Sequence, residues 1–253
     1  MTKVILSGAL GRMGQAITRL AKNDGEIKIV SGFDILENSN ADYPVFCDYS
    51  KCNLDADVII DFSNPSNFEN ILNYAKEKKI GLVMCTTGLT DEQKSELSKA
   101  SSEIPVFFSA NMSLGINLLI DLAKRAAALL SENFDIEIIE KHHNQKLDAP
   151  SGTALAIADA LNDAAENSYE YVYDRHSVRK KRDKKEIGLH AVRGGTIVGD
   201  HDVIFAGSDE VVTISHHAAS RDVFANGALK AARFLNGKPA GFYSMTDLVN
   251  EIK

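Results

Sequence analysis

Residues 3–22 read KVILSGALGRMGQAITRLAK, and this stretch decides the fold. The apolar run up to Ser7 predicts a buried strand, and the apolar residues at helical spacing after Gly14 predict a helix. Gly8, Gly11 and Gly14 lie in the connection, where the absence of side chains lets backbone N–H groups approach a pyrophosphate. Because the spacing is GxxGxxG rather than GxGxxG, a glycine-rich turn without a ligand stays open beside a dinucleotide site.

The alternation of strands and helices continues to about residue 113. Short, continuous apolar runs predict strands that are buried on both faces of a sheet. The predicted strands are residues 3–7, 26–33, 56–62, 81–85 and 105–109, and the predicted helices are residues 12–22, 68–79 and 90–101. We therefore expect an α/β domain over residues 1–113, with a Rossmann-like parallel sheet covered by helices on both faces.

The pattern changes after residue 113. The elements predicted there are a helix at 113–130, a strand at 135–139, a helix at 151–165 and strands at 187–192, 196–206 and 210–215. Strands that cluster after one or two helices indicate a second, α+β domain with a mixed or antiparallel sheet, over residues 114–221. Helical patterns at 221–235 and 245–252 close the chain, and either domain could include them.

Composition and charge exclude several classes of protein. With 44% hydrophobic and 25% charged residues, the chain has the composition of a soluble globular protein. Its net charge of −7 argues against a nucleic-acid partner, and no apolar run approaches the ~20 residues of a membrane helix. The first residues do not have the form of a secretory leader. Three cysteines without CxxC spacing favour a cytoplasmic location and no thiol metal site.

Residues 175–185 are a basic exception, with seven Lys or Arg residues against Asp183 alone. Basic runs of this kind are usually solvated faces of loops. We expect such a loop here, with a contact to an anion or to another subunit as the alternative.

Asp34 ends the second predicted strand, twenty residues after Gly14. An acidic side chain at this position can accept hydrogen bonds from an adenosine ribose and repels a 2′-phosphate. No basic residue follows until Lys51, so the sequence favours NADH over NADPH. Arg12 or Lys22 could still reach a phosphate, which leaves use of both cofactors open.

A second group of chemically active residues lies at 140–154, EKHHNQKLDAPSGTA. His142 and His143 follow a strand, so their side chains should diverge, and one imidazole can donate a proton near neutral pH. Lys146 supplies a positive charge, and a helix that starts at 151–153 offers free N–H groups. These features predict a pocket for a small acidic substrate beside a proton donor. A zinc site is a poorer interpretation, because adjacent histidines rarely converge on one ion.

GALGRMG at 8–14, together with residues 140–154, resembles the 4-hydroxy-tetrahydrodipicolinate reductase (dihydrodipicolinate reductase) family of bacterial lysine biosynthesis. Similarity extends to TTG at 86–88, SANMSLG at 109–115, VRGG at 192–195, SR at 220–221 and FANGA at 224–228. The resemblance implies reduction of a cyclic dicarboxylate by NADH or NADPH. It also implies that residues 222–253 join the dinucleotide-binding domain, and that the second domain binds substrate and builds a homotetramer through its sheet.

The resemblance also implies a role for individual residues. His142 would be the proton donor and Lys146 the second catalytic residue. The residues expected to hold the substrate carboxylates are His143, Gly152 and Thr153. Those expected at the cofactor are Gly8, Ala9, Leu10, Gly11, Arg12 and Met13 at the diphosphate, Asp34 at the ribose, and Cys85, Thr86, Thr87, Ser109, Ala110, Asn111 and Met112 on the nicotinamide side. The sequence departs from the family at Cys85, where Gly is usual, and at Leu10.

Two other functions remain open from the glycine turn alone. One is a regulator that senses a dinucleotide, and the other is a reductase of a different small carbonyl or imine acid. The histidine and lysine pattern at 142–146 argues against both.

Overall fold

The computed structural model describes residues 1–37, 41–109 and 111–251. It divides the chain into two compact units, Met1–Leu114 with Asp222–Lys253, and Gly115–Arg221. The first unit is therefore built from two separate segments of the chain. The functional assignment of each unit stays a prediction.

The first unit contains a parallel sheet, with seven strands in the described residues. The strands are β1 (Thr2–Ser7), β2 (Ile27–Phe33), β3 (Val45–Phe46), β4 (Val58–Asp61), β5 (Gly81–Met84), β6 (Pro105–Phe108) and β12 (Gly241–Tyr243). Their order is β12-β6-β5-β4-β1-β2-β3, and every neighbouring pair is parallel. This confirms the expected Rossmann-like sheet.

Helices cover both faces of this sheet. They are α1 (Arg12–Ala21), α2 (Phe68–Lys78), α3 (Asp91–Ala100), α6 (Asp222–Leu235) and α7 (Met245–Glu251). Ile60 packs into the hydrophobic cluster that includes α1 and α6, whereas the adjacent Ile59 packs into the cluster that includes α2 and α3. Successive residues of a central strand are thus buried on opposite faces, which explains why these strands are continuous apolar runs in the sequence.

The second unit contains a mixed sheet. Its elements are α4 (Leu114–Leu130), β7 (Asp135–His142), α5 (Gly152–Ala164), β8 (Glu170–Val172), β9 (Glu186–Arg193), β10 (Gly199–Ala206) and β11 (Val211–Ala218). The order is β11-β10-β7-β9-β8, in which β10 is antiparallel to both neighbours and β7, β9 and β8 are parallel. The helices α4 and α5 share a hydrophobic core with β7, β9 and β10. The mixed sheet agrees with the prediction.

Strand ends are where the sequence-based prediction was least accurate. β7 continues to His142, three residues beyond its predicted end, because the ladder to β9 runs until His142 lies opposite Arg193. His142 is therefore the last residue of the strand rather than part of the following loop. The short strands β3, β8 and β12 were not predicted, since two or three residues are too few to show a periodic pattern.

The basic loop at 175–185 is exposed, but some of its side chains pair with carboxylates of the sheet. Arg182 is 17% exposed and donates to Glu137 Oε1 (2.9 Å), Asp135 Oδ1 (3.0 Å) and the carbonyl of Ile136 (3.0 Å). Hydrogen bonds from Arg175 and Lys180 lower the pKa of Glu186 to about 2. The expectation of a solvated loop is confirmed, since every residue at 175–185 except Arg182 is exposed, and part of the loop also neutralises carboxylates of β7 and β9.

None of the helices in the described ranges combines the length and apolar character needed to cross a membrane.

Replacement of Arg182 by Gln should lower the free energy of unfolding by about 1–3 kcal/mol, because Glu137 and Asp135 lose charged hydrogen-bond donors. Urea unfolding followed by circular dichroism measures the change. Lys184→Gln, a change of the same charge at an exposed position of the same loop, is the control and should stay within about 0.5 kcal/mol of the native chain. Equal stability of both variants would contradict the role given to Arg182.

Candidate active site

The glycine turn between β1 and α1 has a backbone that only glycine fits. Gly8 has φ +75°, and a Cβ there would lie 2.5 Å from the carbonyl oxygen of Phe62. A Cβ on Gly14 would lie 2.5 Å from the carbonyl oxygen of Ala9. Gly11 is the N-cap of α1 and has no side chain to accept from the first N–H groups of the helix. The turn therefore presents backbone donors and a positive helix end to an anionic ligand.

A cleft of about 1220 Å³ opens at the carboxyl ends of β1, β2 and β4. Gly8, Leu10, Gly11 and Asp34 lie in its lining. The backbone N–H of Leu10 donates to Asp34 Oδ2 and that of Ile35 donates to Asp34 Oδ1, both at 2.8 Å. A carboxylate has about four acceptor positions, so Asp34 is fixed and can still accept from a diol. The glycine turn, the cleft and Asp34 fit a dinucleotide.

The other residues predicted at the cofactor lie elsewhere in the first unit. Cys85 is buried in the core beside α6, and burial raises the pKa of its thiol well above its usual value. Thr86 is buried, and Thr87 is exposed. Ser109 donates to the carbonyl of Asn111 (3.1 Å), and the buried Met112 packs in the core beside α6. Within the described chain, the lining of the cleft includes none of the residues at 85–87, 109, 111 and 112. Ala110 lies outside the described residues.

Three more residues predicted at the diphosphate surround the turn itself. Ala9 is buried, Arg12 is exposed in the first turn of α1, and Met13 packs against the core.

Asp61, at the end of β4, is a polar residue that sequence reasoning missed. It is 1% exposed and accepts from Ser63 Oγ and Thr86 Oγ1, both at 2.6 Å. Burial raises the pKa of this carboxyl, although hydrogen bonds from Ser63, Ser7 and Thr86 act in the opposite direction. The clue in the sequence was an acidic residue at the carboxyl end of a fully buried strand. Asp61 thereby joins the loops that follow β4 and β5.

In the second unit, β7 delivers two polar side chains into a buried environment. Its alternate residues Ile136 and Ile138 belong to the core, and Glu140 and His142 continue the same face of the strand. Glu140 is fully buried, and its Oε2 lies 2.6 Å from Nδ1 of His142. Glu140 is part of the sequence motif at 140–154, but the sequence predicted no role for it. The period-two pattern was the signal that could have placed it behind His142.

Two residues of other elements hold Glu140 through three hydrogen bonds. Arg193 donates to both carboxylate oxygens at 2.7 Å, and the N–H of Ser151 donates to Oε1 at 2.9 Å. Burial would raise the pKa of Glu140, but hydrogen bonds from Arg193, His142 and Ser151 lower it below its ordinary value. Glu140 is therefore an ionised group at neutral pH.

Lys146 lies in the turn that follows β7. Its N–H donates to the carbonyl of His143 (3.1 Å), and its Nζ pairs with Asp148 Oδ1 (2.8 Å). This hydrogen bond is the main reason that the pKa of Asp148 is lowered. The ammonium group of Lys146 is thus already placed against a carboxylate in the protein itself.

The turn leads into α5, whose N-cap is Ser151. Ser151 Oγ accepts from the N–H of Ala154 at 3.2 Å, while Gly152 is exposed and Thr153 is half-buried at the start of the helix. His143 is also half-buried, and its Nδ1 has no hydrogen-bond partner within the described chain. The structure thus places the five predicted residues on one strand end, one turn and one helix start.

His201 of β10 is a further buried neighbour that was not predicted. Its ring lies edge-on to that of His142, with 5.3 Å between centroids, and its Nε2 lies 3.2 Å from Ser151 Oγ. Burial, and then the neighbouring His142, lower the pKa of His201 to about 4. His201 is therefore neutral at neutral pH. Within the described ranges, no group of three or more His, Cys, Asp or Glu side chains could hold a metal ion.

Comparison with known proteins identifies close relatives over the whole chain. The family described as "Dihydrodipicolinate reductase, N-terminus" matches residues 2–112, and "Dihydrodipicolinate reductase, C-terminus" matches residues 115–249. The chain is 53% identical to a 4-hydroxy-tetrahydrodipicolinate reductase of Caldanaerobacter subterraneus subsp. tengcongensis, over 99% of each chain. It is 50% identical to the enzyme of that name from Clostridium tetani, over 99% of this chain and 98% of the relative.

A solved structure supports the fold. Dipicolinate-bound dihydrodipicolinate reductase from Paenisporosarcina sp. TG-14 superposes with a TM-score of 0.82, covering 96% of this chain and 97% of the other. The sequence identity of that pair is 24%.

The buried carboxyl of Asp61 should make stability depend on pH. Its folded pKa is raised above the ordinary value of 3.8, so its contribution is present below that value and is lost as pH rises through the folded pKa. Asp61→Asn stays neutral, and its unfolding free energy should therefore rise relative to that of the native chain with increasing pH. Each unit of pKa difference corresponds to about 1.4 kcal/mol.

Urea unfolding at about pH 3.5, below the ordinary pKa, and at about pH 8 measures this difference. Asp91→Asn, at an exposed position of α3, makes the same change of side chain and is measured at the same two pH values as the matched control. A constant difference between Asp61→Asn and the native chain over this range would show that Asp61 does not titrate there.

Proposed function

The chain belongs to the dihydrodipicolinate reductase family, and on this premise we propose that it reduces 4-hydroxy-tetrahydrodipicolinate to tetrahydrodipicolinate in diaminopimelate and lysine biosynthesis. The observation that carries the proposal is the end of β7, where a buried carboxylate anchors His142 directly before the turn that holds Lys146 and the N-terminus of α5. A proton donor beside cationic and N–H groups suits an unsaturated ring with two carboxylates.

The first unit supplies the cofactor site. The glycine turn and the N-terminus of α1 would hold the diphosphate, and Asp34 the adenosine ribose. We propose a preference for NADH, because both oxygens of Asp34 are fixed by backbone N–H groups and the following Ile35 and Leu36 are exposed and uncharged. When bound, the reduced nicotinamide supplies a hydride to the ring of the substrate. The segments 85–87 and 109–112 would line its nicotinamide side.

The second unit supplies the groups that bind and protonate the substrate. Lys146 would exchange its contact with Asp148 for a substrate carboxylate or for negative charge that develops in the reaction. His143, Gly152 and Thr153 would hold the carboxylates at the start of α5, where the helix dipole favours an anion. His142 would then donate a proton to the ring carbon next to the one that accepts the hydride. The 4-hydroxyl group of the substrate would leave as water, which balances the overall conversion.

A homotetramer built through the sheet of the second unit and a cytoplasmic location stay predictions. The exposed Val211 and Val212 of the edge strand β11 favour an interface at this sheet. The alternative of a regulator has less support, since Arg175 and Arg182 of the basic loop are engaged with carboxylates of their own unit.

Replacement of His142 by Gln should lower kcat by roughly 10²–10⁴-fold, because the general acid is lost, while the Kd for NADH stays unchanged. The measurement is oxidation of NADH, followed by its absorbance, with substrate generated freshly by a coupled enzyme. His176→Gln, in the exposed basic loop, is the matched control and should keep native turnover. Near-native turnover of His142→Gln would refute the assignment of the proton donor.

Asp34→Ala should raise KM for NADH by roughly 10- to 100-fold, because charged hydrogen bonds to the ribose are lost. KM for NADPH should rise less or fall, since the repulsion of the 2′-phosphate disappears with the carboxylate. Steady-state kinetics with both cofactors measures the ratio, with Asp91→Ala as an exposed acidic control. An unchanged ratio would place the determinant of cofactor choice elsewhere.

A further inference from the structure

We propose that Glu140 is the positioning residue of the proton donor: it holds His142 with a proton on Nδ1 and so makes Nε2 the nitrogen that protonates the substrate. This inference deepens the proposed function and rests on it. Glu140 touches neither substrate nor cofactor in this scheme and acts through the ring of His142.

The hydrogen-bond capacity of Glu140 decides which nitrogen of His142 carries the proton. An ionised carboxylate only accepts, and has about four acceptor positions. Two are taken by the guanidinium of Arg193 (2.7 Å each) and one by the N–H of Ser151 (2.9 Å). The remaining contact is to Nδ1 of His142 at 2.6 Å. Because a fully buried acceptor faces Nδ1, this nitrogen must carry a hydrogen.

Arg193 keeps Glu140 ionised. Its guanidinium donates to both carboxylate oxygens of Glu140. It also donates to the carbonyls of Asp148 (2.5 Å) and Val192 (2.8 Å), which fix its position. A paired guanidinium of this kind does not give up a proton, so it acts as a fixed charge. The pair therefore leaves the Nδ1 proton on His142 throughout the reaction, rather than passing it to Glu140.

The opposite side of the His142 ring, at Nε2, faces the backbone of β10. A Cβ on residue 199 would lie 3.0 Å from Nε2 of His142, and this position is glycine. The neighbouring ring of His201 is neutral at working pH, so it places no second cation against His142. The backbone of β10 thus leaves room beside Nε2.

The proton balance follows from these contacts. The protonated ring carries hydrogens on both nitrogens, and Nε2–H is the one transferred to the substrate carbon. The ring is then neutral, with its Nδ1–H still bonded to Glu140. Nε2 regains a proton from bulk solvent before the next turnover. No other side chain of the protein changes its charge, while the nicotinamide becomes cationic when it gives up the hydride.

The same carboxylate also fixes the start of α5, because Oε1 accepts from the N–H of Ser151, the N-cap residue. Loss of the negative charge should therefore disturb the orientation of His142 and, to a smaller degree, the place where a substrate carboxylate would bind. We expect a larger effect on kcat than on the substrate KM.

The direct test is the tautomer of His142 in the native protein. Nitrogen NMR of the ¹⁵N-histidine-labelled chain, at a pH where the ring is neutral, distinguishes a protonated ring nitrogen from an unprotonated one. The resonances of His142 are assigned by their absence from His142→Gln. We expect Nδ1 protonated and Nε2 unprotonated. The reverse pattern would overturn the proposal, and this measurement needs neither substrate nor a variant of Glu140.

Glu140→Gln provides the second test. The glutamine side chain can adopt two orientations. If its NH₂ group takes the place of Oε1, it faces two donors, from Arg193 and Ser151. If it takes the place of Oε2, it faces only one of these donors, from Arg193. The second orientation turns a donor toward Nδ1, so the ring should switch to the Nε2–H tautomer. We expect this switch together with a fall in kcat of roughly 10²–10⁴-fold, because a histidine in the wrong tautomer is a poor general acid. The Kd for NADH should not change.

Glu137→Gln is the matched control. Glu137 lies on the same strand and also contacts a histidine, His190, at 2.7 Å, but it is on the opposite face of β7. This variant should leave the His142 resonances as they are. Native turnover and an unchanged tautomer in Glu140→Gln would overturn the positioning role. Failure of the native protein to oxidise NADH with the substrate would refute the proposed function, whereas the His142 spectrum would still report the position of the proton.

Discussion

A carboxylate can be buried at tolerable cost only when hydrogen-bond donors surround it, and this constraint shapes the site in each unit of the protein. In the second unit, Glu140 collects donors from β7, from β9 and from the N-terminus of α5. The three elements that carry the chemistry are therefore tied to one charge. Movement of β7, β9 or α5 would remove a hydrogen-bond donor from the buried carboxylate of Glu140.

The first unit also buries a carboxylate among hydrogen-bond donors, but these donors are uncharged. Asp61 ends β4, and hydroxyl donors rather than a guanidinium surround it. Hydroxyls offset burial less completely than an arginine, which is why burial raises the pKa of Asp61 whereas the pKa of Glu140 falls. Asp34, by contrast, is half-exposed in the cleft and takes backbone donors on both oxygens, so it stays available to a ligand.

The sequence was sufficient to predict whatever depends on local patterns. The run from β1 through the glycine turn to α1 predicted a Rossmann-like sheet, and the histidine and lysine pattern at 142–146 predicted an acidic substrate. The partners of Glu140 and Asp61 were not predictable in this way. Arg193 lies 53 residues from Glu140, and Thr86 lies 25 residues from Asp61. Periodicity shows which face a residue occupies, but not which distant side chain the topology brings to it.

The division of the first unit into two segments has a consequence for how the protein is made. The helix α6 packs against β1, β4, β5 and β6, and its residues Ala228 and Leu229 belong to the same core cluster as Val4 and Leu6. During synthesis, the whole second unit leaves the ribosome before α6 does. The part of this sheet face that α6 covers thus stays exposed while more than a hundred residues are added, although α1 already packs against the same face. In this period exposed apolar strands attract chaperones or other chains.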